Sequence, residues 1–105
     1  MAEAVRFAEP AIRDLQAIFD FILPMAGERI ARDHVAKLYA YCLGFETFPE
    51  RGVRRDDLRP GLRIVGYRRQ ATIAFAIVDG VVTILRVFHR GRDVDALLAE
   101  IDEAG

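Results

Sequence analysis

The side chains in this sequence that could do chemistry are arginines and histidines. Fourteen of the fifteen basic residues are arginine, and His34 and His89 are the only histidines. Cutting RNA without a metal needs a base for the 2′-hydroxyl, an acid for the leaving 5′-oxygen and cations for the phosphate. Arginines could supply the cations, and His89 lies near the end of an apolar run, where a side chain can reach a cleft. The five acids from Asp93 onward would repel RNA if they lay near such a site. His34 lies beside an apolar helical stripe and reads as a half-buried packing residue. Cys42, the single cysteine, has no His or Asn placed to activate it and reads as a small core residue. Without a CxxC or HxxxH pair there is no structural zinc spacing, so neither a metal nor another cofactor is expected.

Charge is unevenly spread. Residues 51–92 hold ten arginines and three acids, whereas residues 93–105 hold five acids and no base, within a net charge of −1. Arginine is a planar, permanently charged fork that binds carboxylate and phosphate bidentately. A basic middle therefore points to an anionic partner, either nucleic acid or an acidic protein segment, against the plainer reading of a solvated arginine-rich surface. A lone cysteine fits a reducing cytosol. No apolar run approaches the ~18 residues of a membrane span, and the first residues do not read as a signal peptide, so a cytoplasmic protein is expected.

Positioning these side chains falls to a short series of elements. Residues 4–8 alternate as a short strand does. Pro10 suits the first turn of a helix, and Ala11, Leu15, Ile18 and Ile22 make one face, widened by Phe19. Pro24 is expected to stop that helix. A second helix starts at Gly27-Glu28 and runs to about Phe48, with Ile30, Ala31, His34, Val35, Leu38, Tyr41, Cys42 and Phe45 on its stripe. The two form a helical hairpin joined by a turn of about three residues. Residues 49–61 read as a loop irregular over most of its length. Strands follow at 62–68, 71–78 and 81–89, with Arg68-Arg69 at one turn and Asp79-Gly80, a strong type I′ signal, at the other. Asp93 is placed to cap a last helix over 94–103. The expected fold is a single α+β domain over residues 1–105, in the order β-α-α-β-β-β-α: a short N-terminal strand, a helical hairpin, a three-stranded antiparallel meander and a short C-terminal helix.

Three stretches of this sequence resemble the ParE branch of the RelE/ParE toxin superfamily of type II toxin–antitoxin systems. They are Val5-Arg6-Phe7 with the helix holding Asp14-Leu15 and Phe21-Ile22; Phe48-Pro49-Glu50-Arg51-Gly52 leading into Arg59-Pro60-Gly61-Leu62-Arg63; and Thr83 through Asp93, whose Val-Phe-His-x-Gly-Arg-Asp end is the most specific. The resemblance implies a toxin that binds and poisons DNA gyrase without catalysis of its own, arrests growth and so serves plasmid or chromosome maintenance. It also implies a cognate ParD-like antitoxin that wraps the toxin, with DNA contacted only through antitoxin or gyrase. The sister RelE-like branch instead cleaves messenger RNA on the ribosome, often with a C-terminal tyrosine or histidine. For this alternative the resemblance implies Arg63, Arg86 and His89 as the catalytic set; Tyr39, Tyr41 and Tyr67 all lie short of the C-terminal end and depart from that pattern. A third reading is a scaffold that survives only as an antitoxin-binding module.

On the gyrase reading, the target-binding residues are Arg59, Arg63, Arg86, His89, Arg90 and Arg92. His89, Arg92 and Asp93 have a structural reading beside it, ordering the corner between strand and helix. The antitoxin-binding residues are Phe19, Phe21, Ile22, Leu23 and Arg59, because the first helix carries more apolar side chains than one buried face needs. The same side chains could instead pack in the core or against a second copy.

Overall fold

The computed structural model describes residues 5–89. Their order is β1 (Arg6–Phe7), α1 (Glu9–Ala26), α2 (Glu28–Leu43), a 3-10 turn (Gly44–Glu46), β2 (Val53–Arg54), β3 (Arg63–Tyr67), β4 (Ala71–Val78) and β5 (Val81–His89). The α+β expectation holds across this span. The helix expected over 94–103, with its cap Asp93, lies outside the described residues.

The α1 stripe is as its spacing predicts. Ala11, Leu15 and Ile18 are buried, and Ile22 packs half-buried against them. Pro24 does not stop the helix, which runs on to Ala26. Its missing N–H sacrifices one bond, to the carbonyl of Asp20 one turn earlier, in a last turn that is exposed. The break comes at Gly27, whose φ of +93° favours a residue without a Cβ. Its N–H still reaches the Leu23 carbonyl at 3.0 Å. One residue, not three, therefore joins the helices.

In α2, Ala31, Leu38 and Cys42 are buried, whereas Ile30 is exposed despite its place in the predicted stripe. The α-helix ends at Leu43, earlier than expected, and tightens into the 3-10 turn, which buries Phe45 completely. Arg51 fixes this end. Its guanidinium lies 4.5 Å from the Phe45 ring centroid, and it donates to the carbonyls of Phe48 (3.0 Å) and Gly44 (3.2 Å). The guanidinium thus adds a second donor to the Gly44 carbonyl, which also accepts from the Thr47 N–H at 3.1 Å, and ties the chain after the turn to the helix end.

The five strands lie in the order β1-β5-β4-β3-β2. The antiparallel meander β3-β4-β5 matches the expectation. The segment 49–61 was expected to be irregular over most of its length, and it also contributes β2, which pairs Val53 with Ile64 and Arg54 with Arg63. Gly52 makes this possible: a Cβ there would meet the Ile64 carbonyl oxygen at 2.4 Å. On the far edge, β1 runs parallel to β5, Arg6 opposite Thr83 and Phe7 opposite Ile84.

Helices cover one face of the sheet, burying Ile73, Phe75, Val82, Ile84 and Val87 against Leu15, Ile18, Leu38 and Phe45. The other face buries Leu62, Ala74 and Phe88, with Leu58, Ile64 and Leu85 packed against them. A bulge moves the register from Ala74 opposite Arg86 to Phe75 opposite Ile84. The extra residue, Leu85, shifts the alternation, so Ile84 and Val87 both reach the helices while Phe88 faces away.

Both hairpins turn through two residues of positive φ. One is the expected Asp79-Gly80 (+52° and +79°); the other is Arg68-Arg69 (+48° and +58°), closed by the Gln70 N–H on the Tyr67 carbonyl at 2.8 Å. Left-handed backbone costs a non-glycine residue roughly 1–2 kcal/mol.

Candidate functional site

Arg86 leaves β5 beside the place where β1 ends, and the carboxylate of Asp14 on α1 receives it there. Nε donates to Oδ2 at 2.7 Å and Nη2 to Oδ1 at 2.9 Å, and the Val87 N–H adds a third bond to Oδ2 at 2.8 Å. The pair is mostly covered, with 21% of the Arg86 side chain and 15% of Asp14 exposed. This bidentate clamp joins α1 to an edge of β5 that β1 is too short to pair. Arg63 is likewise turned inward, its Nη1 donating to the Glu50 carbonyl at 3.0 Å and to that of Arg51 at 3.4 Å.

His89 packs against the helical hairpin. Its ring lies 5.0 Å from that of Phe21 and 6.3 Å, edge-on, from that of His34. Strand register sets Arg63 and Arg86 on different faces of the sheet, while His89, paired with Ala71, shares the helix-covered face with Arg63. Directly paired residues share a face. Arg63 pairs with Phe75, on the helix-covered face, whereas Arg86 pairs with Ala74, on the other. Arg63, Arg86 and His89 each engage different groups: loop carbonyls, the Asp14 carboxylate, and the rings of Phe21 and His34.

Arg59 sits half-buried in the β2–β3 loop, where its carbonyl accepts from the Leu62 N–H at 3.0 Å. Asp56 steadies that loop, accepting from the Gly61 N–H at 2.8 Å and pairing with Arg54. The bond from Gly61, with the Arg54 contacts, holds its carboxyl below the usual carboxylate range. Arg90 and Arg92 lie outside the described residues.

The helical hairpin and β1 enclose an apolar groove of about 420 Å³, lined by Phe7, Ile12, Leu15, Phe19, Val35 and Tyr39, with Gln16 at its wall. Phe7 and Tyr39 stack at 4.9 Å and form its floor. Of the apolar residues singled out from sequence, Phe19 lines this groove. Phe21 and Leu23 stand exposed elsewhere on α1, and Ile22 packs into the core. Ile12 and Tyr39 were missed. Both are large apolar side chains off the buried stripe of their helices, and that position was the available signal.

Burial, partly offset by the neighbouring Asp33, lowers the His34 pKa below its ordinary value, and its Nε2 is buried without a hydrogen-bond partner among the described residues. Burial also pushes the Cys42 thiol up to about 12, which suits a core residue and not a nucleophile. Among the described residues, no group of three or more His, Cys, Asp or Glu is placed to hold a metal, and no helix is long and apolar enough to cross a membrane.

A solved structure described as "Chromosomal ParDE TA system from P. aeruginosa" shares this fold, with a TM-score of 0.74 at 21% identity, covering 85% of this chain and 97% of that one. No match is found among curated proteins. The family described as "ParE toxin of type II toxin-antitoxin system, parDE" matches residues 5–94. That span takes in all three stretches that carried the resemblance, and the chain belongs to this family of ParE toxins.

Proposed function

We propose that this toxin acts in the cytoplasm on DNA gyrase, by binding and not by catalysis, and that a cognate antitoxin neutralises it. The observation that carries the reading is the separate engagement of Arg63, Arg86 and His89. Metal-free RNA cleavage needs its base, acid and phosphate-binding cations around one phosphate. Here one arginine is held by the Asp14 carboxylate of α1, one by backbone carbonyls of the loop before β2, and the histidine packs against the hairpin.

Of the residues expected to meet the target, Arg63 and Arg86 serve the fold, so the target surface falls to Arg59, His89, Arg90 and Arg92. The antitoxin is assigned to the apolar groove. An amphipathic segment of an unfolded tail would lay its apolar side chains there. Phe19 belongs to that groove, while Phe21 and Leu23, exposed elsewhere on α1, and the half-buried Ile22 would be met by other parts of the tail; Arg59 would meet acidic residues of the same tail.

The test is a supercoiling assay with gyrase, relaxed plasmid and antitoxin-free toxin. Inhibited supercoiling with accumulation of linear DNA is the expected result. Unaffected gyrase at micromolar excess of folded toxin would overturn the proposal, and ribosome-bound message cut in a His89-dependent manner would replace it.

A further inference from the structure

The β3–β4 hairpin is closed by two arginines in a conformation that arginine disfavours. A type I′ turn needs positive φ at both central residues, which Asn-Gly or Asp-Gly adopts readily. This chain uses Asp79-Gly80 at its other hairpin. At Arg68-Arg69 it instead places two β-bearing, charged residues, both exposed, at φ of +48° and +58°. Backbone strain of this kind concentrates at functional sites.

The charges are also unpaired among the described residues. Arg54, Arg55 and Arg86 each hold a carboxylate, and Arg63 holds carbonyls. Arg69 makes no ion pair or hydrogen bond with the described residues, and Arg68 makes only a contact with the Tyr67 ring at 5.6 Å. From residue 58 to residue 78 the sequence carries four arginines and no acid, so no carboxylate of the hairpin's own strands damps the field at its tip.

We propose that the Arg68-Arg69 tip is a binding site for the phosphate backbone of duplex DNA. This departs from the expectation that DNA is met only through a partner, and it does not depend on gyrase being the target. Guanidinium forks match phosphate oxygens in pairs. A two-stranded ribbon, its strands about 4.8 Å apart, fits the ~12 Å major groove of B-form DNA. The deep, narrow major groove of A-form RNA would exclude it. An acidic protein face is the rival partner, and the test separates the two.

The test is fluorescence anisotropy of a labelled 20-base-pair DNA with the full chain freed of antitoxin, run from 50 to 200 mM salt. Two phosphate contacts give a slope of log affinity on log salt of about −1.8, worth about a tenfold loss over that range. The variant Arg68→Asn/Arg69→Gly installs the preferred turn. It is expected to melt higher by about 5 °C while losing close to that whole slope and on the order of tenfold affinity at 50 mM. A control with the same loss of charge, Arg6→Gln/Arg29→Gln, is expected to bind as wild type does. The proposal is overturned if wild-type protein does not bind, if the tip variant binds unchanged or melts lower, or if the control weakens binding as much. Tighter binding to single-stranded RNA or to an acidic peptide than to the duplex would overturn it too.

Discussion

Replacing Asp14 by alanine removes one carboxylate and three hydrogen bonds at once. The two from Arg86 are charge-assisted, at 2.7 and 2.9 Å, and the third, from the Val87 N–H at 2.8 Å, supplies an edge position of β5 with its acceptor. Hydrogen bonds to charged groups are worth roughly 1.5–3 kcal/mol each, and an ion pair at ~4 Å gains about 4 kcal/mol at an effective dielectric of 20. These overlap, because all three share one carboxylate. The side chains also keep 15% and 21% exposure, so solvent screens part of the attraction. A net cost of about 3 kcal/mol follows, between an exposed pair at 0–1 and a fully buried one at roughly 3–5. For a chain of this size that lowers the melting temperature by about 12–15 °C. Urea denaturation followed by circular dichroism measures it. A cycle with Arg86→Met and the double variant isolates the pair, with an expected coupling of about 1.5–3 kcal/mol. A cost below about 1 kcal/mol, or a coupling near zero, would refute the idea that this clamp holds α1 to the sheet.

Gly52→Ala is expected to destabilise by about 2–4 kcal/mol, from positive φ and a Cβ 2.4 Å from the Ile64 carbonyl oxygen; protection of β2 amides from hydrogen exchange should vanish with it. His34 titrates lower in the folded protein than in the unfolded chain, so the unfolded state binds the proton first. Stability is therefore whole above the unfolded value of about 6.5 and falls as pH drops below it, and His34→Leu should flatten urea midpoints measured between pH 7 and pH 5.5. Ile12→Asp, at an exposed position on the groove wall, should weaken antitoxin binding at least about tenfold by titration calorimetry, while shifting stability by no more than about 0.5 kcal/mol. Retained antitoxin affinity would move the docking surface off this groove.

The elements were legible in the sequence wherever periodicity and turn chemistry agreed. Ala11, Leu15 and Ile18 announce α1, and Asp79-Gly80 announces its hairpin. Boundaries were less so, for identifiable reasons. Pro24 reads as a stop, yet one absent bond in an exposed last turn is a small loss, and Gly27 made the turn instead. β2 was hidden because two residues cannot show alternation, and because its pairing rests on Gly52 lying against Ile64, a contact between residues twelve apart.

The candidate site was legible in residue type but not in arrangement. Arg63 and Arg86 look equivalent in sequence, both in apolar strands of a basic region. What separates them is register: a strand residue takes its face from its partner, and one bulge at Leu85 is enough to reverse it. Asp14 gave no warning of its role either, since the arginine it holds is 72 positions away. Local pattern thus finds the charges, while only the folded chain decides which are consumed by structure. The clearest functional signal is accordingly an inconsistency between the two levels. A sequence that places Asp-Gly in one I′ turn has the means to place it in the other, and Arg68-Arg69 gives up that local stability for two charges that form no ion pair among the described residues.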